Sequence, residues 1–380
     1  MARAKTRKTG LVFEEVSGTA QAVPASAPAA LRQPARRAIA LWLWTLAGLV
    51  AVMILVGGLT RLTDSGLSIT VWDPIMGAIP PLSQADWEAA FDLYKTTTEY
   101  QNQNAWMTLA DFKPIFWWEW GHRQFGRVIG IVWGVGLLGF LVARAIPPGW
   151  TWRLVVPGLL GGVQGAIGWW MVSSGLVGRL DVASYRLAIH LGLAFVILAL
   201  LVWLARRVRL DETEALKARR RRMGGIGMVR FLGVLLFVQI LVGALVAGID
   251  AGRSFVDWPL MQGGFLPPEP LGLEPVWRNF FENAGLVQFI HRMLGYLVLL
   301  VGLWGTWRLM RRREGALRWH GAALGIGMVA QTVLGIVTVL NAAPLEIAIW
   351  HQAGGVVLAG ILASALFAVS YPPEVRIARG

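Results

Sequence analysis

Four histidines at matched positions are the residues of this chain best suited to chemistry. The 380 residues include five histidines and no cysteine, which excludes a disulfide, an iron-sulfur cluster and a thiolate haem ligand. His122 and His190 lie in the first half, and His291 and His351 lie at corresponding places in the second. Paired imidazoles on facing helices can bind an iron porphyrin axially. The alternative is a set of ordinary interhelical hydrogen bonds, while His320, which has no first-half counterpart, is interpreted as an interfacial residue.

One polar residue differs between the halves. Three residues before the first histidine of each pair stands Glu119 in the first half and Gln288 in the second. The i, i+3 spacing puts each on the same helix face as its histidine. A buried carboxylate can act as acid or base or can stabilise a cation, so we predict that Glu119 is catalytic. The alternative is a structural ion pair with Arg123 or Arg127.

This asymmetry predicts a reaction site in the first half and a permanent cofactor in the second. Three arginines beside the histidines are candidate partners for the propionates of a porphyrin: Arg123, Arg127 and Arg292. Arginines near helix ends also extend to the membrane surface for simple solvation, and the sequence does not decide between these interpretations.

Two further matched pairs favour structural roles. Gln164 and Gln331, each with glycine four residues later, favour packing and interhelical hydrogen bonds. Asp64 and Asp250 favour turns that end their helices.

The composition indicates that these residues lie in a membrane protein. Hydrophobic residues make up 56% of the chain and charged residues only 15%, against about a quarter charged in soluble domains. Spans of about 20 apolar residues leave room for eight transmembrane helices. The predicted fold is an all-α polytopic protein with eight spans, near residues 38–59, 125–145, 154–172, 183–205, 229–249, 286–307, 321–340 and 347–369.

The basic residues predict the orientation and explain the net charge of +13. The two termini and the alternate connections on their side hold 25 Lys and Arg, whereas the opposite connections hold 7. The positive-inside rule therefore predicts cytoplasmic termini and histidines toward the outer leaflet, and it removes the reason to invoke nucleic acid. Arginine far outnumbers lysine, which is typical of a GC-rich bacterial genome, so the bacterial inner (plasma) membrane is the expected location.

The halves repeat a series of landmarks in the same order, among them Met53–Gly57 with Gln239–Gly243 and the four histidines. We predict two parallel four-helix units related by an axis along the membrane normal. The predicted divisions are a disordered cytoplasmic tail (1–36), a first half with the substrate site (37–209), a cytoplasmic linker (210–228), a second half with the cofactor site (229–371) and a C-terminal tail (372–380). The first half carries an extra outer segment, Gln84 to Lys113, with an amphipathic pattern that suits a cover over the site or packing on the membrane surface.

Several motifs together resemble the haem A synthase family in the form shared by proteobacteria and mitochondria. They are the segment Gly57–Ser68, Glu119–Arg123, Phe289–Arg292 with Gly295, and His351-Gln352. The resemblance covers about residues 38 to 370. It implies two bundles of four helices and oxidation of the C8 methyl of haem O to the formyl of haem A, for terminal oxidase biogenesis. Some members carry a cysteine pair in the first outer loop. This chain has no cysteine, so a thiol relay of the kind known for those members is not expected here.

The resemblance also implies a ligand assignment. His291 and His351 are the expected ligands of a haem b cofactor, His122 and His190 are expected to bracket the substrate haem O, and Glu119 is the required carboxylate. Expected partners are the lipid bilayer, haem O synthase as the supplier of substrate, and an electron-transfer protein, with a homo-oligomer as a further candidate. Two other classes fit the histidines: a di-haem b-type electron-transfer cytochrome and a haem transporter or chaperone.

Overall fold

The computed structural model describes residues 29–221, 225–312 and 315–372. The fold is all-α, and eight helices of the described chain are long and apolar enough to span a membrane. These eight are α1 (Ala29–Leu62), α3 (Leu109–Val142), α4 (Thr151–Val172), α5 (Ser184–Arg207), α7 (Ile226–Gly248), α9 (Ala284–Met310), α10 (Gly315–Leu340) and α11 (Leu345–Ser370). Three shorter helices lie between them: α2 (Gln84–Lys95), α6 (Glu212–Arg220) and α8 (Asn279–Glu282). The prediction of eight spans is confirmed.

Two helices begin well before the apolar segments that predicted them. Helix α3 starts at Leu109, where Thr108 and Asp111 form a capping box, so its first turns include charged residues that lower the local hydropathy. Helix α1 starts at Ala29, and the last residues of the predicted tail are therefore helical. Arg36 in this part donates to the main-chain oxygens of Val208 and Leu210. Residues 1–28 of that tail and residues 373–380 at the other end lie outside the described residues.

The spanning helices form two rings of four. In the first ring α1 packs on α3, α3 on α4, α4 on α5 and α5 on α1. In the second ring α7, α9, α10 and α11 pack in the same cyclic order. Buried leucines such as Leu46 and Leu201 fill the first ring, and Leu232 and Leu324 fill the second. The outward side of α3 exposes apolar residues, including Ile131 and Val135, as a lipid-facing helix must.

Helices α1 and α5 of the first ring meet α7 and α11 of the second. Two polar contacts join the rings there. Arg61 at the end of α1 pairs with Asp250 at the end of α7 at 2.7 Å. Gln352 of α11 donates to the main-chain oxygen of Ile54 in α1 at 2.7 Å, and its amide lies directly against Gly58, where a β-carbon would collide with it.

Helix α2 covers the N-terminal part of α3. Its buried residues Trp87, Phe91 and Tyr94 pack on Phe112 and Phe116 of α3. The amphipathic helix predicted for the outer insertion is therefore present, and its apolar face packs on protein.

Candidate functional site

The four matched histidines share one local environment. In each case the edge of the imidazole packs against a glycine of a neighbouring helix, and a β-carbon on that glycine would lie 2.8–3.0 Å from the histidine Cε1. Such a distance is shorter than ordinary van der Waals contact, so any larger residue at these positions would have to displace the ring. The pairs are Gly57 with His122, Gly168 with His190, Gly243 with His291, and Gly335 with His351.

These glycines place the histidines at one level of the bundle. Each glycine lies four or five residues before the C-terminal end of its helix, in α1, α4, α7 and α10. Alternate spans run in the same direction, so all four contacts lie toward the same end of the molecule. The early start of α3 puts His122 far from the beginning of its own helix, but Gly57 keeps it level with the other three.

Within each ring the two histidines come from helices that are not neighbours. His291 on α9 and His351 on α11 face each other with ring centroids 6.4 Å apart. His122 on α3 and His190 on α5 lie within electrostatic range of one another. All four histidine residues are partly exposed. The sequence prediction that the histidines form one pair in each half agrees with this arrangement.

A glutamine holds three of the four histidines. The amide nitrogen of Gln164 donates to the main-chain oxygen of His190 at 2.9 Å and lies 3.2 Å from its Nδ1. Gln239 contacts His291 in the same way, as Gln331 does His351. Interhelical hydrogen bonding was predicted for Gln164 and Gln331. Sequence reasoning missed that their partners are the histidines themselves, and it missed Gln239 altogether as a partner.

The donor set fits an iron porphyrin better than a bare ion. Across residues 29–221, 225–312 and 315–372 no group of three or more metal-ligating side chains occurs, and a protein-bound ion such as zinc needs three or four. An axial haem site needs only two imidazoles because the porphyrin supplies the other ligands. With metal–nitrogen bonds of roughly 2 Å, one metal between two imidazoles separates the ring centroids by about 6 Å, close to the value for His291 and His351.

Glu119 is buried in a network of hydrogen bonds, with 3% of its surface exposed. Its Oε2 accepts from the Ser68 hydroxyl and from the main-chain N–H of Ile69, both at 2.7 Å. Its Oε1 pairs with Arg123 at 2.6 Å. Arg123 also donates to the main-chain oxygens of Ile69 and Val71. The carboxylate therefore ties the loop after α1 to α3 through Ser68 and Ile69. It also forms the ion pair with Arg123 that was considered as its alternative role.

In the second half, Gln288 makes the matching contact between loop and helix, but it donates a hydrogen bond to the loop whereas Glu119 accepts two. Gln288 donates to the main-chain oxygen of Phe255 at 3.0 Å and accepts from Arg292 at 3.3 Å. Arg292 donates to the main-chain oxygens of Phe255 and Leu260. The loop offers an acceptor here and two donors in the first half, which explains why one side chain is an amide and the other a carboxylate.

A cavity of about 270 Å³ opens beside the first-half site and is lined in part by Arg123, Arg127 and Trp120. Arg127 donates to the main-chain oxygens of Asp73 and Pro74 through Nη2 and Nε, while its buried Nη1 has no partner in the described structure. The indole N–H of Trp120 is likewise buried without a partner. Unpaired buried donors fit an anionic group such as a propionate.

The remaining candidates have structural roles. His320 contacts Ser364 at 2.9 Å and its Nδ1 lies 2.6 Å from the main-chain oxygen of Ala316, away from the paired histidines. Asp64 and Asp250 adopt left-handed backbone angles, with φ of 49° and 50°, directly after α1 and α7. The predicted helix-ending turns are confirmed.

Eight helices that are long and apolar enough to span a membrane form two rings, and each ring contains one pair of histidines. They define a multi-pass membrane protein whose histidine pairs fit an iron porphyrin. The family model of COX15-CtaA, described as cytochrome oxidase assembly protein, matches residues 40–363, and the chain belongs to this family. It is 58% identical over 372 residues to the heme A synthase of Dinoroseobacter shibae, covering 95% of this chain and 96% of the relative. It is 56% identical to that of Ruegeria pomeroyi, covering 95% and 97%, and 50% identical to one from Cereibacter sphaeroides (strain ATCC 17025), covering 97% and 98%.

Proposed function

We propose that this protein is a haem A synthase, a membrane oxidoreductase that converts the C8 methyl of haem O to the formyl of haem A. The observation that carries the proposal is the difference between the two histidine pairs, since a buried carboxylate, Glu119, lies beside the first pair and the neutral Gln288 at the matched position beside the second. The near full-length similarity to proteins named heme A synthase supports it. The oxidation proceeds in two successive hydroxylations followed by loss of water, and its product serves the biogenesis of terminal oxidases.

In the first half, His122 and His190 hold the iron of haem O. The unpaired Nη1 of Arg127 and the indole N–H of Trp120 receive a propionate at the adjoining cavity, and Arg123 contributes positive charge. Glu119 is the catalytic carboxylate, and Ser68, Ile69 and Arg123 fix its position. A fixed carboxylate in a low-dielectric site stabilises positive charge that develops during oxidation of the methyl group.

In the second half, His291 and His351 hold haem b, with Gln239 and Gln331 orienting the two imidazoles. Bound haem b supplies one-electron redox chemistry. The neutral Gln288 and Arg292 at the matched position tie the loop to the helix without adding a carboxylate, as suits a site that retains its cofactor.

The two rings are the two halves of a repeat, with the substrate site in residues 37–209 and the cofactor site in residues 229–371. Both termini face the cytoplasm of a bacterium, and the four histidines lie toward the outer leaflet of the inner membrane. The segment 210–228, which contains α6, then joins the halves on the cytoplasmic side. Haem O synthase supplies the substrate, and an electron-transfer protein serves the reaction.

The test is extraction and chromatography of pigments from protein purified from cells that make haem O. The expected result is haem B together with haem O or haem A. Replacing His291 or His351 with Ala should remove most of the low-spin haem spectrum, because an axial ligand is lost while the protein still inserts. Pigment that contains haem B alone would identify a di-haem electron-transfer cytochrome, and an intact low-spin spectrum in both variants would refute the cofactor assignment.

A further inference from the structure

A glutamine amide contacts three of the four imidazoles, and none contacts His122 in the part of the chain that the structure describes. The amide nitrogens of Gln164, Gln239 and Gln331 lie 3.2 Å from the Nδ1 of their histidines and 2.8–3.0 Å from the main-chain oxygens. The Nδ1 of His122 is buried and has no hydrogen-bond partner in the part of the chain that the structure describes.

Met53 stands where the missing glutamine would be. Met53 and Gln239 each begin a matched run, followed in both cases by Ile-Leu-Val-Gly. The methyl of Met53 would lie 3.3 Å from a β-carbon on Gly126, and the amide nitrogen of Gln239 lies equally far from one on Gly295. The two side chains therefore reach the same place against the helix that carries the histidine.

The difference matters for a metal-bound imidazole. When Nε2 binds iron, Nδ1 carries the proton and needs an acceptor, and this hydrogen bond orients the ring and strengthens the ligand. Each of the three glutamines has a buried Oε1 without a partner among the described residues. Rotation of the amide presents that oxygen to Nδ1–H and gives up the donation from the amide nitrogen to the main-chain oxygen of the histidine. The thioether of Met53 donates nothing and accepts only weakly.

We propose that His122 is the exchange ligand of the first-half site: haem enters and leaves by forming and breaking the bond on the His122 side. His190, held by Gln164, stays in place during exchange. In the second half both ligands are held, so that haem is retained. This inference rests on the proposed function, because a substrate haem must leave after each turnover and a resident haem must not.

The test follows release of haem from purified protein in which both sites have been filled with haem b, using excess apomyoglobin as the acceptor. We expect a fast phase from the first half and a slow phase from the second. M53Q should slow the fast phase roughly tenfold, since outer partners of metal-bound histidines change metal affinity by about that factor or more. M53L, which also lacks a hydrogen-bonding group, should release haem as the parent protein does.

The reciprocal variant Q239M keeps the inference testable if M53Q fails to fold. It should speed the slow phase by a similar factor, because His291 then loses its amide. Equal release from M53Q, M53L and the parent protein, or an unchanged slow phase in Q239M, would overturn the inference. Release is measured without turnover, so these outcomes are independent of the pigment analysis that tests the proposed function.

Discussion

Glu119 and Gln288 show how a single atom sets the polarity of a loop contact. The carboxylate receives the Ser68 hydroxyl and the Ile69 N–H, whereas the amide donates to the Phe255 oxygen. The two residues are therefore not interchangeable, although they occupy matched positions and have nearly the same shape. In Glu119→Gln, an amide that accepts from Ile69 must turn its own N–H groups toward Arg123.

Replacing Glu119 with Gln should lower haem A by a factor on the order of 100, the size of effect usual when one preorganised electrostatic group is removed from a reaction site. The hydroxylated intermediate should accumulate, because the two oxidations need not depend equally on the carboxylate. We also expect a loss of stability of about 1–3 kcal/mol from the unpaired Arg123. Chromatography of the extracted pigments gives the ratio of intermediate to haem A, which a loss of folded protein alone does not change.

Q288E is the matched control, because it places a carboxylate against the Phe255 oxygen at a site outside the proposed reaction. It should be destabilised but should make haem A in proportion to the folded protein. A normal pigment ratio in Glu119→Gln would show that Glu119 serves only the loop.

What sequence could predict at this scale was residue type and position. The histidine pairs were predictable because four imidazoles in apolar segments have few other uses. The contacts between glutamine and histidine were not predictable, because the partners are 26, 52 and 20 residues apart and a single sequence does not show which residues meet. The sequence also does not show that the loop offers hydrogen-bond donors to Glu119 and an acceptor to Gln288, for the same reason.

Among the elements, averaged hydropathy predicted the eight spans but not where two of them begin. Helix α3 extends outward to Leu109, and α2 packs its aromatic face on that extension. Asp111, Lys113 and Glu119 lower the hydropathy there, so the helix had to be found through its cap and its packing.

The outer segment after α2 encloses an acidic group, Glu99, whose side chain is 4% exposed. Its Oε2 has no partner in the described chain. Burial, together with the nearby carboxylates of Asp181, Asp64 and Glu119, raises the pKa of Glu99 to about 8. The folded protein therefore holds this proton over a range in which the unfolded chain, with the ordinary pKa of 4.5, has lost it.

Stability contributed by this group falls as the pH rises from about 4.5 to 8, because the unfolded state releases the proton first. Glu99→Gln is neutral at every pH and removes this dependence. The variant should match the parent protein near pH 4.5 and unfold at a temperature roughly 5 °C higher at pH 8. Thermal unfolding of purified protein at the two pH values checks this, and an equal shift at both would contradict a buried protonated acid.

At the scale of the whole molecule, two closed rings share an interface built from α1, α5, α7 and α11. Arg61 at the C-terminal end of α1 pairs across that interface with Asp250, and Asp181 lies 3.4 Å from the same guanidinium. The Arg61 side chain is 14% exposed, whereas the side chains of Asp181 and Asp250 are 42% and 40% exposed, so salt reaches these ion pairs from the side of the carboxylates.

The absence of native cysteine makes the orientation directly measurable. Ala85 is exposed in the first turn of α2, two residues after the Ser83 cap, so Ala85→Cys leaves the capping box of Ser83 and Asp86 intact. A membrane-impermeant maleimide should label it in intact cells, since the positive-inside rule puts α2 outside. Lys217→Cys in α6 is the matched control and should react only after permeabilisation. The reverse pattern would invert the proposed topology.

The contact between Gln352 and Gly58 makes a residue of one half depend on a residue of the other. Gly57 makes room for His122 on one side, and its neighbour Gly58 makes room for the residue that follows His351 on the other. Any side chain acquired at Gly58 must displace Gln352 and loosen its bond to Ile54. A substitution at Gly58 on the first ring therefore acts across the boundary between the rings, because it moves the side chain that follows His351 on the second.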